Sequence, residues 1–226
     1  MKKIILIALM VSIFSASCVF SQSVGFSYFF PKNGYFSNPV APINFSMPIK
    51  FGNFIKVSPG IGLSNIGGMS MTGFPDSYNS AQALVGPFQS LELNLIPAIV
   101  FPFKTVKFDI DGGIFGFASF NSRLMQGNFN NMFAEANNFD FVNTNTIINK
   151  KAIGWGYVFG FKVSFKVTKS AWGYIGANYY MGSQKMALNG TYSGITNNTI
   201  TEGDFSFPDA ELLYHGLQLS VGAVLK

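Results

Sequence analysis

The sequence predicts an all-β chain: an eight-stranded, antiparallel, up-and-down transmembrane β-barrel with short periplasmic turns and long extracellular loops. Three observations carry this expectation. From Ile153 on, every second residue (Ile153, Trp155, Tyr157, Phe159, Phe161, Val163, Phe165, Val167) is large and apolar, while Gly154, Gly156, Gly160, Lys162 and Ser164 between them are small or polar. A strict period of two marks a strand whose two faces meet different surroundings. Charged residues make up only 11% of the chain, against roughly 25% in soluble domains, so a water-facing sheet surface is poorly provided for. Finally, the segments joining the strands alternate between minimal and long, the asymmetry of an outer-membrane barrel. Parity alone also admits a soluble periplasmic lipocalin-like binding barrel or a sandwich, with the greasy face turned inward.

The strands follow in order. Val24–Phe30 alternates Val24, Phe26, Tyr28 and Phe30 on one face, and a Pro/Asn/Gly connector runs from Pro31 to Pro42. Ile43–Phe51 comes next; Pro48 cannot donate to a ladder and demands a bulge or a locally unpaired site. Gly52-Asn53, with Phe54, forms a three-residue turn into a strand carrying Ile55, Val57, Ile61 and Leu63. A polar loop from Gly67 to Pro87 precedes Leu91–Phe103, and a very short turn leads into Val106, Phe108 and Ile110. Gly112-Gly113 reads as a bulge that flips parity, returning Phe115 and Phe117 to the outer face. Asn121–Lys150 is the longest loop and is rich in asparagine. After Ile153–Val167 and a short turn at 168–170, Trp172–Gln184 is strand-like with two competing parities. Leu213–Leu225 closes the set after a loop around 189–209.

At 226 residues the chain suits one domain. Residues 1–21 read as a signal peptide, with Lys2-Lys3, an apolar run from Ile4 to Phe14 and a small-residue cleavage site at Val19-Phe20-Ser21; residues 22–226 form the barrel domain. The single cysteine, Cys18, falls in this leader; Ser15-Ala16-Ser17-Cys18 offers a lipoprotein reading but lacks the usual leucine. Without the leader lysines, 13 basic residues face 10 acidic ones. With no dense Lys/Arg run, nucleic acid is not an expected partner.

The chain resembles small eight-stranded outer-membrane β-barrels of the OmpA/OmpX type, and the leader ending Phe20-Ser21-Gln22 resembles those of Bacteroidota exports. The resemblance covers residues 24–226. It implies a monomer in the outer membrane of a Gram-negative cell envelope, in contact with outer-membrane lipid and lipopolysaccharide and inserted by the outer-membrane assembly machinery. The terminal Val224-Leu225-Lys226 departs from the aromatic ending that machinery reads in such barrels.

Lys50, Lys56, Glu92, Asp109, Asp111, Lys162 and Lys166 fall on lumen-facing positions. They predict a structural polar network plugging a lumen just wide enough for side chains, because buried charges require partners. Strand alignment puts Asp111 near Lys162 and Asp109 near Lys166. His215 is the only histidine and shares its parity with Leu213 and Leu217; no Ser/His/acid cluster forms around it, so no enzyme, catalytic residue or cofactor is expected. One histidine and no cysteine beyond the leader leave no conventional zinc site. Phe129, Phe133, Phe139 and Phe141 are candidate loop contacts for lipopolysaccharide, a glycan or an envelope protein partner, or else pack within a loop hairpin. The expected role is structural or surface-interacting, and a narrow porin-like channel for small apolar solutes is the alternative.

Overall fold

The computed structural model describes residues 21–35, 43–78, 82–150 and 153–225. The leader up to residue 20, including Cys18, and residues 36–42 of the first connector lie outside them.

The strands are β1 (Gln22–Pro31), β2 (Ile43–Ser46), β3 (Ile49–Phe51), β4 (Ile55–Ile66), β5 (Met71–Thr72), β6 (Val85–Pro102), β7 (Val106–Leu124), β8 (Phe141–Lys150), β9 (Gly154–Lys166), β10 (Ala171–Thr196), β11 (Thr199–Phe207) and β12 (Glu211–Leu225); one helix, α1 (Gln126–Asn137), separates β7 from β8. The ring runs β1, β2 with β3, β4, β6, β7, β9, β10 and β12, and β12 pairs back onto β1. Counted this way, eight antiparallel strands close on themselves, each beside its neighbour along the barrel. Closure removes the unpaired edges that an open sheet would present. Pro48 interrupts its strand, splitting it into β2 and β3 without shifting the register against β4.

The outward parity is the greasy one. Phe26, Leu93, Ile99, Ile110, Phe161, Ile175 and Val221 are each more than half exposed. In water, a contiguous apolar surface of this extent has no place on a monomer. From Trp155 to Phe165 the outward side chains of β9 cover eleven residues, which at a usual barrel tilt is roughly 25 Å of height, the thickness of a lipid-facing band. Three short turns, at 52–54, 103–105 and 167–170, lie at the same end as Gln22 and Leu225. Gly52 takes φ +69 there, a conformation that costs a residue without Cβ little. Among the described residues no helix is long and apolar enough to cross a membrane.

One sequence expectation changes here and one open point is resolved. The β7–β9 ladder runs without a break from Val106↔Phe165 to Phe117↔Gly154, so Gly112-Gly113 makes no bulge. Parity is kept, Ile114 points out, and Phe115 and Phe117 point inward with 2% and 1% exposure. Two register shifts lie higher, between β6 and β7: one between Gln89 and Ser90, where Phe120 is the extra residue, and one between Val85 and Phe88. The ambiguity in Trp172–Gln184 resolves with Trp172, Tyr174 and Tyr180 inside and Ile175, Tyr179 and Met181 outside.

The long connections are folded. β10 is 26 residues long; its lower part belongs to the barrel, and from Met186 it rises out to pair with β8 on one side and β11 on the other. Asn197 and Asn198, with φ of 49 and 60, form the tight turn of the β10–β11 hairpin. Helix α1 packs beneath this three-stranded sheet through Phe129, Met132 and Phe133. Asn138 ends the helix in the left-handed conformation, and the Phe139 N–H bonds the Ala134 carbonyl.

Candidate functional site

The lumen has two storeys. Toward the short-turn end it is polar and charged. The Lys56 ammonium is in direct contact with the Asp109 carboxylate, and both side chains are buried. Register sets Asp109 opposite Lys162 and Lys50 opposite Lys56. Asp111 and Lys162 line the same small cavity of about 60 Å³, with Asn178, Tyr174 and Gln218. Lys162 lies 4.4 Å from the centroid of the Tyr174 ring, and Lys107 lies 3.7 Å from that of Trp172, both within cation–π range. A second cavity, about 50 Å³, is bounded by Lys50, Lys56, Lys107, Lys162 and Asp109.

The upper storey is aromatic. Tyr214, 1% exposed, stands in contact with Phe29, Phe88, Phe115, Phe117 and Tyr180, at centroid distances from 4.9 to 6.3 Å. Its hydroxyl donates to Glu92 Oε1 at 2.5 Å, Ser64 and Ser90 share a hydrogen bond at 2.7 Å, and Tyr180 donates to Gln218. The lumen glycines are where these rings go: a Cβ on Gly154 would sit 2.3 Å from the Phe117 ring, and one on Gly182 2.8 Å from Phe115. Small residues on the inner face therefore make room for side chains from across the barrel. Tyr214→Phe keeps the ring but takes the donor from a buried carboxyl. Equilibrium unfolding should show a loss of about 1–3 kcal/mol, with Tyr214→Ala costing more because it also leaves a cavity.

Above the rings the apolar interior continues without a gap into the cap. Ile66, Met69, Leu84, Met186, Leu188 and Leu212 link the barrel to Phe129, Phe133, Phe205 and Phe207. Phe133 lies 5.3 Å from Phe205 and 5.0 Å from Tyr192, and Phe129 lies 5.6 Å from Phe205. The Gln126 amide holds α1 to β8 through the Thr144 carbonyl at 2.7 Å.

Of the residues read as a lumen network, Lys56, Glu92, Asp109, Asp111 and Lys162 project inside; Lys50 joins them at the short-turn mouth. Asp111 and Lys162 line one cavity, as the alignment placed them, but the other aligned pair does not form. Lys166 is exposed at the rim, where its N–H bonds the Thr105 carbonyl, and Asp109 is matched to Lys162 and Lys56 instead. The strand alignment slips because strand ends alone do not contain the turn geometry. Glu92 stands apart, in the aromatic storey. Among the loop phenylalanines, Phe129 and Phe133 are buried core of the cap, and Phe139, partly buried, packs on Tyr192 at 5.6 Å. Phe141 is exposed. The aromatic storey is absent from the sequence expectations, although Tyr214 shares the parity of Gly216, Gln218 and Ser220. Among the described residues no group of three or more His, Cys, Asp or Glu could hold a metal ion.

No protein-family model and no curated protein matches the chain. Among solved structures it is similar to the outer membrane protein OprG from Pseudomonas aeruginosa, at 10% identity over 91% of this chain and 94% of that one, with a TM-score of 0.49. It is also similar to a major outer membrane protein from Thermus thermophilus, at 11% identity over 92% and 98% of the two chains, with a TM-score of 0.45. Ail, the attachment invasion locus protein of Yersinia pestis, matches at 12% identity over 91% and 95%, with a TM-score of 0.37.

Proposed function

We propose that this chain is an integral outer-membrane β-barrel whose lumen is plugged by its own side chains and whose working part is the folded cap outside the membrane. The observation that carries the reading is the continuity of the aromatic upper lumen with the core of the cap. A transport path would have to pass through the rings around Tyr214. The two lumen cavities, of about 50 and 60 Å³, have room for little more than ordered water, which argues against the channel for small apolar solutes. The lipocalin-like alternative requires an apolar interior pocket and a polar exterior; the apolar belt faces the other way. On this reading the chain is exported by its leader, inserted by the outer-membrane assembly machinery and acts as a monomer, with lipid and lipopolysaccharide around the belt. On this reading the role is structural or surface-interacting, and the lumen serines and carboxylates, among them Ser64, Ser90 and Glu92, serve to pack and pair within the plug.

The test is outer-membrane fractionation with heat-modifiability on a gel, followed by planar-bilayer recording. A heat-dependent mobility shift in the outer-membrane fraction, with no conductance from the purified barrel, is expected. Stable single-channel steps would sink the plugged lumen, and a soluble protein without a mobility shift would sink the barrel in the membrane.

A further inference from the structure

The cap sheet has two faces, and only one is used in folding. Val142 and Thr144 of β8, and Phe205 and Phe207 of β11, turn inward and are buried with α1 beneath them. The opposite face is laid out by register in cross-strand rows. Asn143, Ser193 and Glu202 form one row, and Asn145, Thr191 and Asp204 the next. Farther out, toward the β10–β11 turn, Phe141, Ile195 and Ile200 form an apolar row, with Phe141 and Ile200 63% and 65% exposed. The two polar rows line a shallow depression of about 540 Å³, within the range of small-molecule sites, roughly 300–1,000 Å³.

We infer that this face is a binding site for a neutral carbohydrate, a deepening of the proposed surface-interaction role that rests on the cap lying outside the membrane. The chemistry selects this partner. Two amides, two hydroxyls and two carboxylates supply donors and acceptors together, the mixture that vicinal sugar hydroxyls satisfy in both directions. The rows contain Glu202 and Asp204 and no cation. Phosphate, uronate or sialate groups, and the phosphates of lipopolysaccharide, are therefore repelled, while an uncharged polyol is not. Neighbouring strands stand about 4.8 Å apart, on the scale of one pyranose ring, so successive strands can address successive hydroxyls. Phe141 and Ile200 at the end of the depression give the C–H face of a sugar an apolar surface to rest on. The platform is held in advance of binding: α1 and the inner-face aromatics fix the sheet from behind, which lowers the ordering cost.

The rival occupant is a second copy adding a strand at the free outer edge of β8 or β11, neither of which has a further strand partner among the described residues. Glu202 and Asp204 on β11 work against a self-pairing of that edge.

The experiment uses the full barrel purified in detergent on an array of neutral hexose and N-acetylhexosamine oligosaccharides beside sialylated, uronate-containing and phosphorylated ones, with calorimetric titration of the best-bound member. Binding to neutral members is expected. Asn145→Ala with Asp204→Ala, and separately Phe141→Ala, should each weaken it about tenfold or more, while Lys169→Ala at the short-turn end leaves it unchanged. The substituted side chains are exposed, and the heat-dependent mobility shift reports that each variant is folded. A folded barrel that binds no oligosaccharide, prefers the acidic ones, or binds equally well with the variants overturns the inference. So does a concentration-dependent dimer abolished by the same substitutions, which would give the face to a second copy. Loss of the mobility shift in the unsubstituted protein is a different failure, that of the barrel reading itself.

Discussion

Asp109→Asn should destabilise the barrel by about 3–5 kcal/mol, among the largest effects of any single substitution in the chain, because it leaves the Lys56 ammonium buried without its partner. Lys56→Met should cost less. The cavity around the pair is lined by Lys50, Lys56, Lys107 and Lys162 against the one carboxylate of Asp109, so removing the carboxylate adds repulsion among the lysines, whereas removing Lys56 relieves some of it. The double variant Lys56→Met with Asp109→Leu should recover most of the loss, since a well-packed apolar replacement of a buried pair is often close to neutral. Denaturant unfolding of the refolded barrel, run as a double-mutant cycle, measures all three. Equal losses for the two single variants would mean that Asp111 and solvent at the mouth carry the compensation. A double variant as unstable as Asp109→Asn would mean that the pair is needed for its own sake. Because the pair bridges β4 and β7, which both lie beside β6 in the ring, its cost is linked to how the lower lumen closes.

The barrel was legible in the sequence because period two survives whatever the strand packs against. Lipid outside and short side chains inside both leave their mark on Ile153–Val167, and the three-residue turn at Gly52 fixes the register of its neighbours. What could not be read came from contacts across the lumen. Phe115 and Phe117 look like lipid-facing residues after two glycines; only the uninterrupted ladder to β9 turns them inward, and the space that admits them is made by Gly154 and Gly182 on other strands. A run of alternation has no information about which distant glycine faces it. The cap was half legible. Asn197-Asn198 between alternating segments is a strong hairpin signal, and Phe129, Met132 and Phe133 have helical spacing. Both were masked by the asparagine-rich composition, which reads as loop. The charged lumen residues could be identified from parity, and Asp111 does share a cavity with Lys162, but the rest of the pairing could not: a slip of a few positions moves Lys166 from the interior to the rim.

Phe161→Arg should cost about 2–4 kcal/mol of folding free energy in a bilayer, and it separates a lipid-facing surface from a water-facing one more sharply than any interior change. Phe161 lies in the outward row of β9, between Trp155 and Phe165, and is 57% exposed. On a soluble barrel, arginine at so open a position would be nearly neutral, within about 0.5 kcal/mol. In the hydrocarbon core the guanidinium has neither water nor a partner: its strand neighbours are Ile110 and Ala177. Phe54→Arg supplies the control. Phe54 is 62% exposed, similarly aromatic, and sits in the short turn at the membrane edge, where the same substitution should cost only about 0–1 kcal/mol. The comparison holds residue type and exposure nearly constant and changes only depth. Folding into vesicles of defined thickness, followed by denaturant titration, reads the difference. If the two variants lose equal stability, depth is irrelevant and the apolar belt is not in lipid. If Phe161→Arg alone is severely impaired, and more so in thicker bilayers where the guanidinium has farther to reach toward the interface, then the greasy parity that first marked these strands is the surface that meets the membrane.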